Sequence, residues 1–189
     1  LNFRDDPQRP QLAETNILNP EWVTQGVYSL LNDHTLAQQH GVLNTTQLPE
    51  LLEPKRYPKH KQHLIVEIME KFELCFAFEG REQFLIPDLL GKEQVNQVKT
   101  WDYANSLAFQ YHYDVLPPSV ISRFIVRMHQ RIWERTYWRT GVILAMDNNQ
   151  ALVRADLEDK KILIWVTGTD AGKRSLLAVI RAEFERIHK

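Results

Sequence analysis

The chain has 189 residues, room for one ordinary domain or two small ones, and its 43% apolar and 25% charged residues are the proportions of a globular core, not of a disordered, collagenous or membrane chain. The net charge of −1 is unevenly spread, with 10 Lys/Arg against 14 Asp/Glu in residues 1–100 and 13 against 10 in 101–189, so neither half carries the basic footprint of a typical nucleic-acid module. One cysteine, Cys75, excludes an internal disulfide and the usual cysteine-based zinc sites, and suits a reducing cytoplasm.

In chain order, residues 1–14 are polar with Pro7 and Pro10, and an irregular lead-in is expected in which Phe3 and Leu12 pack locally. The chain opens without Met and without a basic-then-apolar leader, which reads as a piece of something longer. Asn19-Pro20-Glu21 starts a helix, since Asn accepts from early backbone N–H groups, Pro loses no bond at the first position and Glu suits the dipole. Trp22, Val23, Val27, Leu30 and Leu31 give that helix one apolar face. A short helix over 35–40 ends at Gly41, Val42-Leu43 can form a bridge, and a second short helix carries Leu48, Leu51 and Leu52 up to Pro54.

After Tyr57-Pro58, the spacing of Leu64, Ile65, Ile68, Met69 and Phe72 predicts the clearest helix of the first half. A hairpin follows, with strands over 74–78 and 84–86 around Glu79-Gly80. Helices followed by a hairpin give the order of a winged helix. Residues 87–101 are polar and without period, so the domain boundary falls at about 91–101, dividing the chain into 1–95 and 96–189. The second half begins with a strand over 106–113. A helix from Ser119 then carries Ile121, Phe124, Ile125, Met128 and Ile132 on one face, and three strands over 137–146, 151–157 and 161–166 are joined by short turns. A last helix over 173–188 turns Leu176, Leu177, Ile180, Phe184 and Ile187 inward. The fold class is α+β: a winged-helix-like helical subdomain, then a β-α-β-β-β-α subdomain with helices on one face of an antiparallel sheet. No apolar run approaches the roughly 20 residues that span a bilayer.

Several groups of residues invite a chemical reading. Gly168-Thr169-Asp170-Ala171-Gly172-Lys173-Arg174 follows a predicted strand and opens a helix, where a phosphate-binding loop belongs. Three residues separate the glycines where four are needed, and Arg174 stands where a magnesium-binding Ser/Thr is required, so a strand-to-helix connection is the better reading. His60, His63 and Glu67 share a helical face at a spacing that suits a metal, yet they also suit a solvated stripe with His63 and Glu67 paired. Arg123, Arg127, Arg131, Arg135 and Arg139 recur every four residues among Trp133, Tyr137 and Trp138. A solvated face, a protein interface and a nucleic-acid groove all remain open for them. Cys75 reads as an inert core thiol, Ser119 and Ser122 have no partner histidine at an interpretable position, and Trp165 reads as core, so no catalytic constellation is expected.

Three strings in the first half, residues 18–23, 69–76 and 84–90, and three in the second, Phe109-Gln110-Tyr111, residues 116–127 and residues 137–144, resemble, in order, the COR ("C-terminal of Roc") domain of Roco proteins. The resemblance covers about residues 12–188. It implies a non-catalytic dimerisation and coupling module that follows a small GTPase-like Roc domain in the same chain, in parents that often carry leucine-rich repeats. GTP or GDP and magnesium would sit in the Roc domain, with no cofactor here. It implies that the first part, its early helices absent, faces the GTPase through Ile65, Met69 and Phe72. The second part would form the homodimer through Arg123, Arg127, Arg131, Tyr137 and Trp138. A lever through 91–101 would join the two. The alternative is a winged-helix nucleic-acid-binding module, whose groove helix would carry Lys59, Lys61 and Lys71 against Glu67 and Glu70.

Overall fold

The computed structural model describes residues 19–189 as two compact units, one ending at Leu90 and the other starting at Gly91. The expectations for Phe3, Leu12 and the lead-in lie outside the described residues. In the first unit, α1 (Pro20–Leu31) is capped by Asn19, whose Oδ1 accepts from the backbone N–H groups of Glu21 at 2.9 Å and Trp22 at 3.4 Å. Then come α2 (His34–Gln38), capped by Asp33, β1 (Val42–Asn44), α3 (Leu48–Leu51), α4 (Lys59–Lys71), β2 (Phe76–Ala77) and β3 (Gln83–Leu85). The small antiparallel sheet has the order β1-β3-β2, with Leu85 opposite both Val42 and Phe76.

The apolar stripe of α4 is the centre of this unit: Ile65, Val66 and Met69 pack with Leu30, Leu43, Leu48 and Cys75. Two hydrogen bonds tie α1 to the chain entering α4. Trp22 Nε1 donates to the Arg56 carbonyl and the Tyr57 hydroxyl to the Trp22 carbonyl, each at 2.8 Å, with the two rings 4.9 Å apart.

The second unit is a five-stranded antiparallel sheet in the order β4-β8-β7-β6-β5: β4 (Leu107–His112), β5 (Ile132–Trp138), β6 (Gly141–Met146), β7 (Asn149–Asp156) and β8 (Lys161–Thr167). With α5 (Ser119–Arg127) and α6 (Asp170–Ile187) the order is β-α-β-β-β-β-α. This corrects the sequence expectation twice. Ile132 continues the helical spacing of α5, yet α5 stops at Arg127, a 3₁₀ turn covers His129–Arg131, and Ile132 opens a strand. The strand expected over 137–146 is two strands, because the chain reverses at Arg139-Thr140 to pair Trp138 with Gly141 and Tyr137 with Val142.

Strand register divides the side chains between two faces. One holds Tyr111, Ile162, Ala155, Val153, Ile164, Val142 and Leu144, and on it the Tyr111 ring lies 5.5 Å from that of Phe184 in α6. Helices α5 and α6 join there by the stacking of Phe124 on Phe184 at 4.2 Å. On the opposite face, Ile143 and Leu152 pack with Trp138 and Val98, flanked by Val95, Trp101, Trp133 and Trp165. Residues 91–101, aperiodic and polar in sequence, are therefore no loose tether. Val98 is only 5% exposed, and the Arg139 N–H donates to the Gly91 carbonyl at 2.9 Å.

Candidate functional site

The arginine series does not run along one helix, because α5 ends before Arg131. Arg123 and Arg127 lie on α5, Arg131 in the 3₁₀ turn, Arg135 within β5 and Arg139 in the turn to β6. Arg127 is committed inside the unit: its Nε donates to Glu183 Oε2 of α6 at 2.8 Å, and Glu183 also pairs with Arg186. Arg123 is half-buried and Arg131 exposed.

Strand β5 is interrupted. Ile132 opposes Leu144 and Tyr137 opposes Val142, so the strand carries more residues than its partner, and the excess is taken up where Glu134 and Arg135 adopt φ of 45° and 56°. Two consecutive non-glycine residues in left-handed backbone interrupt regular pairing between Ile132 and Tyr137, beyond which it resumes. Tyr137 is half-buried. Burial raises its hydroxyl pKa above the usual value, while nearby Arg135 opposes the shift. Trp138, expected at an interface, is 2% exposed and belongs to the unit's own core. Its Nε1 donates to Thr140 Oγ1 at 2.9 Å, and its ring lies against Gly141, where a Cβ would meet Cζ2 at 2.1 Å.

In the first unit, Ile65 and Met69 have no exposed surface, so of the three residues expected to face a GTPase only Phe72, 48% exposed at the end of α4, has its side chain at the surface. The physical reason is the same for both burials: an apolar stripe seeks cover, and the unit supplies it. Beside α4 a shallow depression of about 240 Å³ is lined by Thr45, His63, Val66, Glu67, Arg81 and Phe84. Arg81 closes one side through two hydrogen bonds to Glu70, at 2.7 and 3.2 Å, which raise the guanidinium pKa further, and lies 5.6 Å from the Phe84 ring centroid. No group of three or more His, Cys, Asp and Glu side chains gathers to hold a metal among the described residues.

The loop from Gly168 to Arg174 does open a helix, but its hollow is filled. Asn149, 3% exposed, reaches in from the start of β7, and its Oδ1 accepts from the Thr169 N–H at 3.0 Å. Its Nδ2 donates to the carbonyls of Met146 at 3.1 Å and Asp147 at 2.8 Å. A Cβ on Gly168 or Gly172 would come within 2.1 or 2.2 Å of Asn149 Oδ1. The Gly172 N–H is taken by Thr169 Oγ1 at 3.1 Å. The two glycines thus make room for a side-chain amide. Asn149 and Glu183 were not singled out from sequence. A polar residue pair after the β6–β7 turn is the only local hint of the first, and nothing local marks the second.

Comparison with known proteins decides what these two units are. Residues 1–90 match the family model "C-terminal of Roc, COR-A domain", and residues 104–189 match "C-terminal of Roc, COR-B domain". The chain is a COR domain of the Roco family. The COR chain is 26% identical over 175 residues to the probable serine/threonine-protein kinase pats1 of Dictyostelium discoideum, covering 86% of this chain and 6% of that protein. It is 23% identical over 137 residues to a Roc-COR-CHAT protease of Runella zeae, covering 71% of this chain and 14% of the relative. It therefore spans a small fraction of the curated relatives it matches. A solved structure titled Methanosarcina barkeri Roco2 RocCORdC bound to GDP is 41% identical, over 40% of this chain and 24% of that one, with a TM-score of 0.37. No helix among the described residues is long and apolar enough to cross a membrane.

Proposed function

We propose that this COR domain is a non-catalytic dimerisation and coupling module, which ties the nucleotide state of a Roc GTPase domain earlier in the same chain to homodimerisation through the second unit. The observation that carries the reading is the consecutive match to COR-A and then COR-B. Filling of the Gly168–Arg174 hollow by Asn149 supports placing GTP or GDP and magnesium in the Roc domain and none here. The first unit is winged-helix-like in this reading, which the strand order β1-β3-β2 and the β2–β3 hairpin after α4 support. Phe72 is its GTPase-facing contact, with Ile65 and Met69 setting the pose of α4 from beneath. Arg123, Arg131 and Tyr137 face the second copy, with Trp138 and the Arg127–Glu183 pair holding them from within. The seat of Val98 and Trp101 on the face that carries Trp138 gives a solid path for the lever: a pull on the chain at Gly91 reaches β5 through packed side chains.

Sedimentation of this chain over a concentration series should show reversible dimers, and a strict monomer at roughly 100 μM would count against the second unit as the dimer former. In the full-length protein, a flexible Gly/Ser insertion just before Gly91 should abolish any difference in dimerisation between the GDP-bound and GTP-analogue-bound states. Persistence of that difference would reject the lever.

A further inference from the structure

The two edges of the five-stranded sheet are built differently. On β5 the left-handed pair Glu134-Arg135 breaks the register. On β4 nothing does. It is a regular strand of six residues, Leu-Ala-Phe-Gln-Tyr-His, paired residue for residue with β8 from Leu107↔Val166 to His112↔Lys161. It contains no Pro, no Gly, no bulge and no Asp, Glu, Lys or Arg, which are the devices that normally blunt an edge. Among the described residues, β8 is its only strand neighbour. Alternate residues of an edge strand direct N–H and C=O away from the sheet, so β4 offers about three such residues to a further strand.

What lies on each side of this edge defines the guest. On the face away from the helices, Ala108, Gln110, Leu163 and Trp165 border a shallow hollow of about 500 Å³, sized for apolar side chains. On the helix face, the guanidinium of exposed Arg181 sits 4.7 Å from the Phe109 ring centroid and supplies the positive charge, while Lys173, just before the strand and 3.5 Å from the Asn105 carbonyl oxygen, is already paired with Asp170 at 3.2 Å. A strand laid along β4 would turn alternate side chains to these two environments, one apolar and one cationic.

We propose that the open edge of β4 is a strand-addition site for an extended segment of a partner protein in which apolar and acidic side chains alternate, the apolar ones over Leu163 and Trp165 and the acidic ones toward Arg181. Charge argues against a second copy of this chain as the guest. Antiparallel pairing of β4 with itself would place two Phe109–Arg181 units on the same face within about two strand spacings, roughly 10 Å, and set like charges against each other.

The probe is a fluorescein-labelled peptide of about eight residues alternating glutamate and valine, titrated with the whole chain and read by anisotropy. Saturable binding is expected, weakened about tenfold or more when lysine replaces glutamate or when alternate peptide nitrogens are methylated, which removes the ladder hydrogen bonds and keeps the side chains. Arg181→Glu should reverse the preference between the glutamate and lysine peptides. Absence of binding up to about 1 mM, equal binding of the N-methylated peptide, or indifference to peptide charge would each overturn the proposal. So would an Arg181→Glu chain that self-associates more tightly while ignoring the peptides, an outcome that assigns the edge to a second copy.

Discussion

Replacing Gly172 by alanine should destabilise the protein although alanine is the better helix former. At the third residue of α6 the change is worth at most about 1 kcal/mol in favour of alanine from helix propensity alone. Against this, the new methyl would lie 2.2 Å from Oδ1 and 2.3 Å from Nδ2 of Asn149, a side chain 3% exposed and held by hydrogen bonds to Thr169, Met146 and Asp147. Expelling it forfeits three bonds at about 1 kcal/mol each, so the net effect of Gly172→Ala is a loss of about 2 kcal/mol. In an Asn149→Ala background those bonds are already gone and the space is open. There the same Gly172→Ala change should stabilise by up to about 1 kcal/mol, a reversal of sign that amounts to a coupling of about 3 kcal/mol. Urea unfolding followed by tryptophan emission reads the relevant unit, since Trp101, Trp133, Trp138 and Trp165 are four of the chain's five tryptophans. Gly168→Ala serves as the contrast: at φ of 130° alanine is strained, so it should cost stability in both backgrounds. An alanine at 172 that stabilises the otherwise natural chain, or shifts stability equally with and without Asn149, would refute the view that the loop is shaped around this amide.

Gly141→Ala should push the Trp138 indole off its seat, since the added carbon would fall 2.1 Å from Cζ2; a loss of about 2–3 kcal/mol with red-shifted emission is expected, and unchanged emission would contradict the packing. Arg127→Ala and Glu183→Ala should show a coupling of about 1 kcal/mol in a double-mutant cycle, because the two side chains are 23% and 16% exposed; additive effects would show that the pair is ornamental. Burial, helped by Tyr111, pushes the Tyr113 hydroxyl from 10.0 up to about 12, so folding favours its neutral form. That contribution is complete below pH 10 and is lost as pH rises from 10 toward 12, and Tyr113→Phe should flatten the alkaline decline in stability; superimposable alkaline curves would remove the group from consideration. Phe72→Glu should leave stability within about 0.5 kcal/mol while weakening nucleotide-dependent coupling in the full-length protein, and intact coupling would detach Phe72 from the GTPase contact.

Much of the fold could be read from local chemistry. Asn19-Pro20-Glu21 carries its own start signal, and the spacing of Leu64 to Met69 marks α4 and its buried side. Where local chemistry was ambiguous the expectation failed. Ile132 fits a helical period after Met128 and fits a β-branched strand start equally well, and only pairing with Leu144 chooses between them. The turn at Arg139-Thr140 lacks the central Gly or Asn that usually announces a hairpin, so one strand was expected where two exist. The candidate surfaces were harder still. Periodicity says that Ile65, Met69 and Trp138 want cover, but not whether the cover is the same domain or another molecule, and each found it at home. The packing of residues 91–101 and the place of Asn149 depend on partners far along the chain and have no local signature.

The contrast between the two margins of the sheet sets a limit on stoichiometry. With one border sealed by Glu134-Arg135 and the other receptive, each molecule can host one guest backbone and cannot pass the ladder on to a further molecule. A head-to-tail chain of copies joined through this sheet would need β5 as its second border, and the break at Glu134-Arg135 withholds it.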